Sequence, residues 1–128
     1  MAKTILIVDD SASIRQVVGM TLKGAGYDVI EGVDGKDALT KLDGRKVHLI
    51  ISDVNMPNMD GITLIKKVRE TDKTLPIIMV TTEAEKSRVL IAVKAGVNNY
   101  VVKPFTAETL SEKIQQTMAK CGAAAETA

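Results

Sequence analysis

The sequence predicts an α/β domain, a single doubly wound (βα)5 unit on a five-stranded parallel sheet. Three observations predict it. Short apolar runs alternate with longer segments of helical periodicity. The runs, Thr4-Ile5-Leu6-Ile7-Val8 and Leu49-Ile50-Ile51 above all, are almost continuously apolar, as strands buried on both faces are. No long linker, repeat or low-complexity block interrupts the alternation. At 128 residues the chain has the length of one domain. A chain of this size buries roughly two thirds of its unfolded surface and needs no covalent staples.

The first strand, Thr4 to Val8, ends at Asp9-Asp10, and Ser11 caps the helix that follows. Ile14, Val17, Val18, Thr21, Leu22 and Ala25 recur at helical spacing as its expected buried face, and Gly26 ends it. Tyr27 to Glu31 partly alternates, which predicts a strand with one more exposed face. Asp34 caps a short helix with Ala38, Leu39 and Leu42, closing at Gly44. Val47 to Ser52 is the third strand, and a third helix begins near Asp60-Gly61 with Ile62, Leu64, Ile65 and Val68 buried. Pro76 opens the fourth strand, Ile77 to Val80, which ends at Thr81-Thr82. Glu83 to Ala95 is helical with Val89, Ala92 and Val93 inward, and Gly96 stops it. Asn99 to Val102 is the fifth strand, ending at Lys103-Pro104. Thr106 caps a last helix that buries Leu110, Ile114 and Met118. The domain is expected to span residues 1–121, with 122–128 a flexible C-terminal tail.

Composition narrows the function classes. The formal net charge is +1, with Lys and Arg spread along the chain and no basic stripe, so nucleic acid is not an expected partner. No apolar run approaches the roughly 20 residues of a membrane span, so no membrane is expected either. The start carries no cleavage-site pattern of a signal peptide. The single cysteine, Cys121, has no internal disulfide partner. Together these features predict a cytoplasmic protein. The single histidine, His48, has no second His or Cys at ligand spacing, and a strand-edge position suits it better than a metal. One Phe, two Tyr and no Trp leave no stacking platform for bases or flavin.

The chemistry is organised around Leu49 to Gly61. A buried strand ends there at Asp53, and a loop rich in turn residues, Pro57, Asn58 and Gly61, follows. Open α/β sheets bind ligands outside the carboxyl ends of their strands, at the point where strand order reverses. In a doubly wound sheet of order 2-1-3-4-5 that point lies between strands one and three. Asp9, Asp10 and Asp53 meet there, faced by Thr81 and Lys103 from the ends of strands four and five. Three carboxylates in one crevice repel, and a cation relieves the repulsion. Hard oxygen ligands suit Mg²⁺, which uses one or two carboxylates plus a phosphate and keeps several waters. Lys103 supplies a compact point charge for a phosphoryl oxygen, and the Thr81 hydroxyl can donate to another. A carboxylate can be a nucleophile that forms an aspartyl-phosphate. The set predicts phosphoryl transfer onto Asp53.

Asp9-Asp10, the loop from Asp53 through Gly61, Thr81 and Lys103-Pro104-Phe105 resemble the receiver domain of bacterial two-component response regulators. The resemblance runs to about Ala119 and is nearest to the single-domain chemotaxis members, through Tyr100 to Ala107 and Met79-Val80-Thr81. The strand order 2-1-3-4-5, a flavodoxin-like arrangement, is one that these chemotaxis regulators themselves exemplify, so the resemblance carries it and the spacing of the strands does not. The resemblance implies a phosphorylation-activated signalling module that takes its phosphoryl group on Asp53 from a CheA-like histidine kinase. It implies Mg²⁺ held by Asp10, Asp53 and the Asn55 backbone carbonyl, with Asp9 acting through water. Lys103 then contacts the phosphoryl group, Thr81 moves toward it and Tyr100 turns inward. A cis Lys103-Pro104 bond is implied as well. A flagellar motor switch protein and a phosphatase are further implied partners, and a monomer is expected. Two positions depart from the pattern. Thr82 stands where small residues are common, which narrows access to the phosphate, and Val54 stands where the best-known chemotaxis members have an aromatic.

Other readings fit less well. A phosphohydrolase resembling the haloacid dehalogenases needs a second Asp two residues after the nucleophile, where this chain has Asn55, so an enzyme is not expected. A flavodoxin-like electron carrier needs a hydroxyl-rich phosphate loop in place of Asp9-Asp10, and aromatics around the flavin. A DNA-binding regulator needs an output domain, for which the chain leaves no room. Within the receiver family, a phosphate sink or a single-domain regulator acting away from the motor remains the alternative.

Overall fold

Strands and helices alternate as expected. The order is β1 (Thr4–Val8), α1 (Ala12–Gly24), β2 (Asp28–Gly32), α2 (Gly35–Leu42), β3 (Leu49–Asp53), α3 (Gly61–Thr71), β4 (Ile77–Thr82), α4 (Arg88–Ala95), β5 (Asn99–Lys103) and α5 (Ala107–Thr127). This computed structural model describes residues 3–43, 46–54, 61–72, 74–82, 88–103 and 105–127, the side chains of 88, 89 and 120–127 excepted. The five strands form one sheet of order β2-β1-β3-β4-β5, and every neighbouring pair is parallel. The flavodoxin-like (βα)5 fold is therefore the observed one.

Side-chain alternation divides the interior between two layers. On one face, Leu6, Val8, Ile50, Ile77 and Met79 pack under α2, α3 and α4, which contribute Ala38, Leu64, Ile65, Val68 and Ala92. On the other, Ile5, Ile7, Leu49, Ile51, Ile78, Val80 and Val101 pack under α1 and α5 through Val18, Leu22, Leu110 and Ile114. All five residues of the central β3 are buried, whereas the edge strand β2 keeps two exposed, the partly alternating pattern of its sequence.

The caps fall where the sequence places them. The Ser11 hydroxyl accepts the Ile14 N–H at 3.3 Å, Asp34 Oδ1 accepts the Asp37 N–H at 2.8 Å, and the Thr106 hydroxyl accepts the Thr109 N–H at 3.1 Å. Gly96 has φ +118°, and a Cβ there would press on the Arg69 side chain. Arg69 in turn donates from Nε and Nη2 to the Gly96 carbonyl at 3.1 and 2.8 Å, which ties the end of α3 to the turn after α4.

Three expected core residues are not in the core. Val17 and Val93 are 63% and 52% exposed, and Ala25 is also exposed. The reason is the width of the contact. α1 meets the sheet along Ile14, Val18 and Leu22, spaced by four, so Val17 turns about 100° from Val18, and Ala25 lies past the last turn as the helix's C-cap. α4 presents the small pair Ala92 and Ala95, which swings Val93 outward; the Val89 side chain lies outside the described residues. α3 buries all four expected residues, Ile62, Leu64, Ile65 and Val68. β3 starts at Leu49, two residues later than expected, and α5 is helical through Thr127, past residue 122 where the expected tail begins. Gly44 lies outside the described residues, and α2 ends at Leu42 with Asp43 as its cap.

His48 joins the starts of β1 and β3. Its Nδ1 accepts the Thr4 N–H at 2.9 Å, and its own N–H donates to the Thr4 carbonyl at 2.8 Å. Partial burial, then the ammonium groups of Lys46 and Lys3, hold the ring below the ordinary histidine value of 6.5. The unfolded chain therefore binds the proton more readily. His48 contributes stability that is complete above pH 6.5 and is lost as the pH falls through the folded-state value. Urea midpoints compared at pH 7.5 and 5.5 should fall more for the wild type than for His48→Gln, and equal falls would contradict this role.

Candidate functional site

Parallel register brings the carboxyl ends of the strands to one edge. Val8 pairs with Ser52, Asp53 with Val80, and Thr82 with Lys103. Asp9 follows β1 directly, Asp53 ends β3 and Lys103 ends β5, so residues far apart in sequence become neighbours.

Asp9 and Asp53 are 3% and 8% exposed, and Asp10 is exposed at the rim. One carboxylate oxygen from each of the three lies within 4.8 Å of the others. The Lys103 ammonium sits 3.5 Å from Asp9 Oδ2 and 3.6 Å from Asp53 Oδ2. The remaining oxygens are held by backbone. Asp9 Oδ1 accepts the Ser11 N–H at 2.9 Å, and Asp53 Oδ1 accepts the Val54 N–H at 2.8 Å. Each acid thus spends one oxygen on the loop that positions it and turns the other toward Lys103.

Two carboxylates about 5 Å apart repel by about 3 kcal/mol in an effective dielectric of about 20. Lys103 offsets part of that. Three formal negative charges and one positive leave the pocket at −2, which a divalent cation would balance. The donors are all hard carboxylate oxygens, two buried and one exposed, a set that fits a cation keeping part of its water shell. Asp9, Asp10 and Asp53 are the described residues that could hold it. Asn55, expected to add a backbone ligand, and Pro104, expected in a cis bond, lie outside the described residues.

Thr81 is 1% exposed, and its hydroxyl donates to the Thr82 carbonyl at 3.4 Å, near the long limit for such a bond. Register pairs Met79 with Tyr100 and Thr81 with Val102. Met79 and Tyr100 pack on the α3/α4 face, and alternation puts Thr81 there too, diagonal to Tyr100. The Tyr100 ring is partly buried, with the Lys113 ammonium 5.5 Å from its centroid. Val54 is fully buried within that same layer, and Thr82 beside the pocket is half-buried.

The sequence reading missed two features. Arg15 donates from Nη1 to the Asp9 carbonyl at 2.6 Å and from Nε to Glu31 at 3.1 Å. Its only sequence signal is its place four residues after the Ser11 cap, where a long side chain can reach back over the helix start. Gly61 has the look of a turn residue in the sequence, but its role is close approach. Its N–H donates to the Val54 carbonyl at 2.9 Å, and a Cβ there would run into the Asp53 carbonyl. A cavity of about 900 Å³ lined by Leu39, Leu42, Val47, Val68 and Leu75 lies between α2 and α3, with none of these acids on its wall.

Comparisons with known proteins agree with this geometry. The family model described as the response regulator receiver domain matches residues 5–115. Chemotaxis protein CheY1 of Helicobacter pylori is 49% identical over 115 residues, covering 87% of this chain and 93% of that protein. A chemotaxis protein CheY homolog of Campylobacter jejuni is 49% identical over 120 residues, covering 89% and 91%. The solved structure of chemotaxis response regulator CheY4 of Vibrio cholerae superposes with a TM-score of 0.87 at 42% identity, covering 91% of this chain and 99% of that one. The matched segment takes in all of the sheet but Thr4 and every acid of the pocket, and this chain belongs to the response regulator receiver domain family.

Proposed function

We propose that this chain is a chemotaxis-type response regulator that accepts a phosphoryl group on Asp53 from a histidine kinase and thereby changes a partner-binding surface. One observation carries the reading. Asp53, nearly buried at the end of the central strand, turns one oxygen toward Lys103 and lies with Asp9 and Asp10 in a pocket of formal charge −2. The similarity to CheY proteins over most of the chain supports the chemotaxis assignment.

In the transfer, an Asp53 carboxylate oxygen attacks the phosphorus of a phosphohistidine. The P–O bond forms as the P–N bond breaks, and the imidazole nitrogen keeps the electron pair and takes up a proton. Asp9, Asp10 and Asp53 would hold Mg²⁺, whose positive charge would offset the negative charge of the phosphoryl oxygens. Lys103 stands 3.6 Å from the nucleophile and neutralises another part of that charge. The Asp53 Oδ1 bond to the Val54 N–H fixes which oxygen is presented. The phosphoryl group then offers the Thr81 hydroxyl a charge-assisted bond, stronger than its 3.4 Å bond to Thr82. Thr81 moving inward frees space for its diagonal neighbour Tyr100, whose ring leaves the α4/β5/α5 surface. A switch from 1:99 to 99:1 needs about 5.5 kcal/mol. One charge-assisted bond supplies about 1.5–3 kcal/mol, so Lys103 shares the load or the switch is partial.

Three measurements test this. Acetyl phosphate with Mg²⁺ should add one phosphoryl mass to the intact chain, and equal labelling of Asp53→Asn would remove Asp53 from its role. Asp10→Asn should raise the melting temperature in EDTA by relieving repulsion. Mg²⁺ at ten times its dissociation constant should stabilise the wild type by about 1.4 kcal/mol. A wild type indifferent to millimolar Mg²⁺ would count against the metal site. Thr81→Ala should still take up phosphate yet lose most phosphate-dependent binding to a motor-switch partner. Undiminished binding would break the Thr81–Tyr100 coupling.

A further inference from the structure

We propose that Arg15 is a positioning residue for the metal-binding acids, fixing the peptide between Asp9 and Asp10 while Glu31 fixes its guanidinium. The inference rests on the reading of the acidic pocket as a Mg²⁺ site. Arg15 lies on α1, and its backbone N–H donates to the Ser11 carbonyl at 3.1 Å. Its side chain, 13% exposed, runs back across the sheet edge to two different strand ends. Nη1 donates to the Asp9 carbonyl at 2.6 Å, and Nε donates to Glu31 Oε1 at 3.1 Å. Glu31 stands on β2 opposite Ile7, next to Gly32 opposite Val8. The Gly32 carbonyl accepts the Asp9 N–H at 3.1 Å.

Asp9 is therefore held at both backbone groups, by β2 on its N–H and by Arg15 on its carbonyl. That carbonyl shares a rigid plane with the Asp10 N–H and Cα. Holding the carbonyl sets the plane, and the plane sets the direction from which the Asp10 side chain leaves. Asp10 is the exposed acid of the three, so its aim depends on this backbone more than on packing. An arginine suits the task because its planar fork donates in two fixed directions at once, which a single ammonium does not reproduce.

Charge alone makes the opposite prediction. A guanidinium beside a cation site repels the cation, so a residue acting only as a charge hinders Mg²⁺, and its removal tightens binding. A positioning residue helps Mg²⁺, and its removal weakens binding. The sign of the effect decides between them.

The test is calorimetric titration of the full chain with MgCl₂, with melting in EDTA as the check on folding. Arg15→Met should raise the Mg²⁺ dissociation constant by about tenfold, the lower end of what supports of metal ligands contribute. Arg15→Lys keeps the charge and should weaken binding as well. Glu31→Gln should weaken binding in the wild-type chain and add nothing in the Arg15→Met chain, because it acts through the guanidinium. Unchanged or tighter Mg²⁺ binding in a folded Arg15→Met chain overturns the proposal. If that variant is unfolded, unchanged affinity in Arg15→Lys overturns it alone. A wild type that shows no Mg²⁺ binding removes the metal site itself, a failure distinct from that of Arg15.

Discussion

Like charges gather only where something stronger holds them together. Here the holding is done by the parallel register of β1, β3 and β5, which brings two nearly buried acids and one ammonium to the same edge. The apolar runs of those three strands bury eight side chains, from Ile5 to Val8, from Leu49 to Ile51 and Val101, between two helical layers. At roughly 1.5–3 kcal/mol for each fully buried side chain, that burial outweighs the few kcal/mol of repulsion at the strand ends. The pocket is thus a local loss carried by a large distributed gain. Its excess negative charge is what the proposed Mg²⁺ would balance.

Much of this was legible in the sequence because the signals are local. Continuous apolar runs marked the strands, and Ser11, Asp34 and Thr106 marked helix starts through a hydrogen bond only three residues long. Asp9, Asp10, Asp53 and Lys103 were legible because each ends or follows a strand, and parallel strands share one carboxyl edge. Thr81 follows by the same logic, and its placement diagonal to Tyr100 emerges from register, which no local signal encodes.

What was not legible is non-local. Val17 and Val93 have the right character for a core and face water, because the width of a helix–sheet contact depends on the partner surface. Arg15 looks like any charged helix residue until the β2 end carrying Glu31 is placed beside it. Gly61 looks like a turn former until the Asp53 carbonyl is seen against its Cα. In each case the deciding neighbour is far off in sequence or set by the path of the backbone.

The sheet is also a partition. The residues proposed to read the phosphate, Thr81 and Tyr100, lie on the α3/α4 side, while α1, which carries Arg15, packs on the other. The two layers share strands whose side chains alternate between them, and neither core reaches through. Substitutions under α4 can alter the Thr81–Tyr100 side without touching the α1 layer from which Arg15 reaches Asp9. A lineage can therefore change its listener while keeping its input chemistry intact, and the separation that allows this is the thickness of one pleated layer.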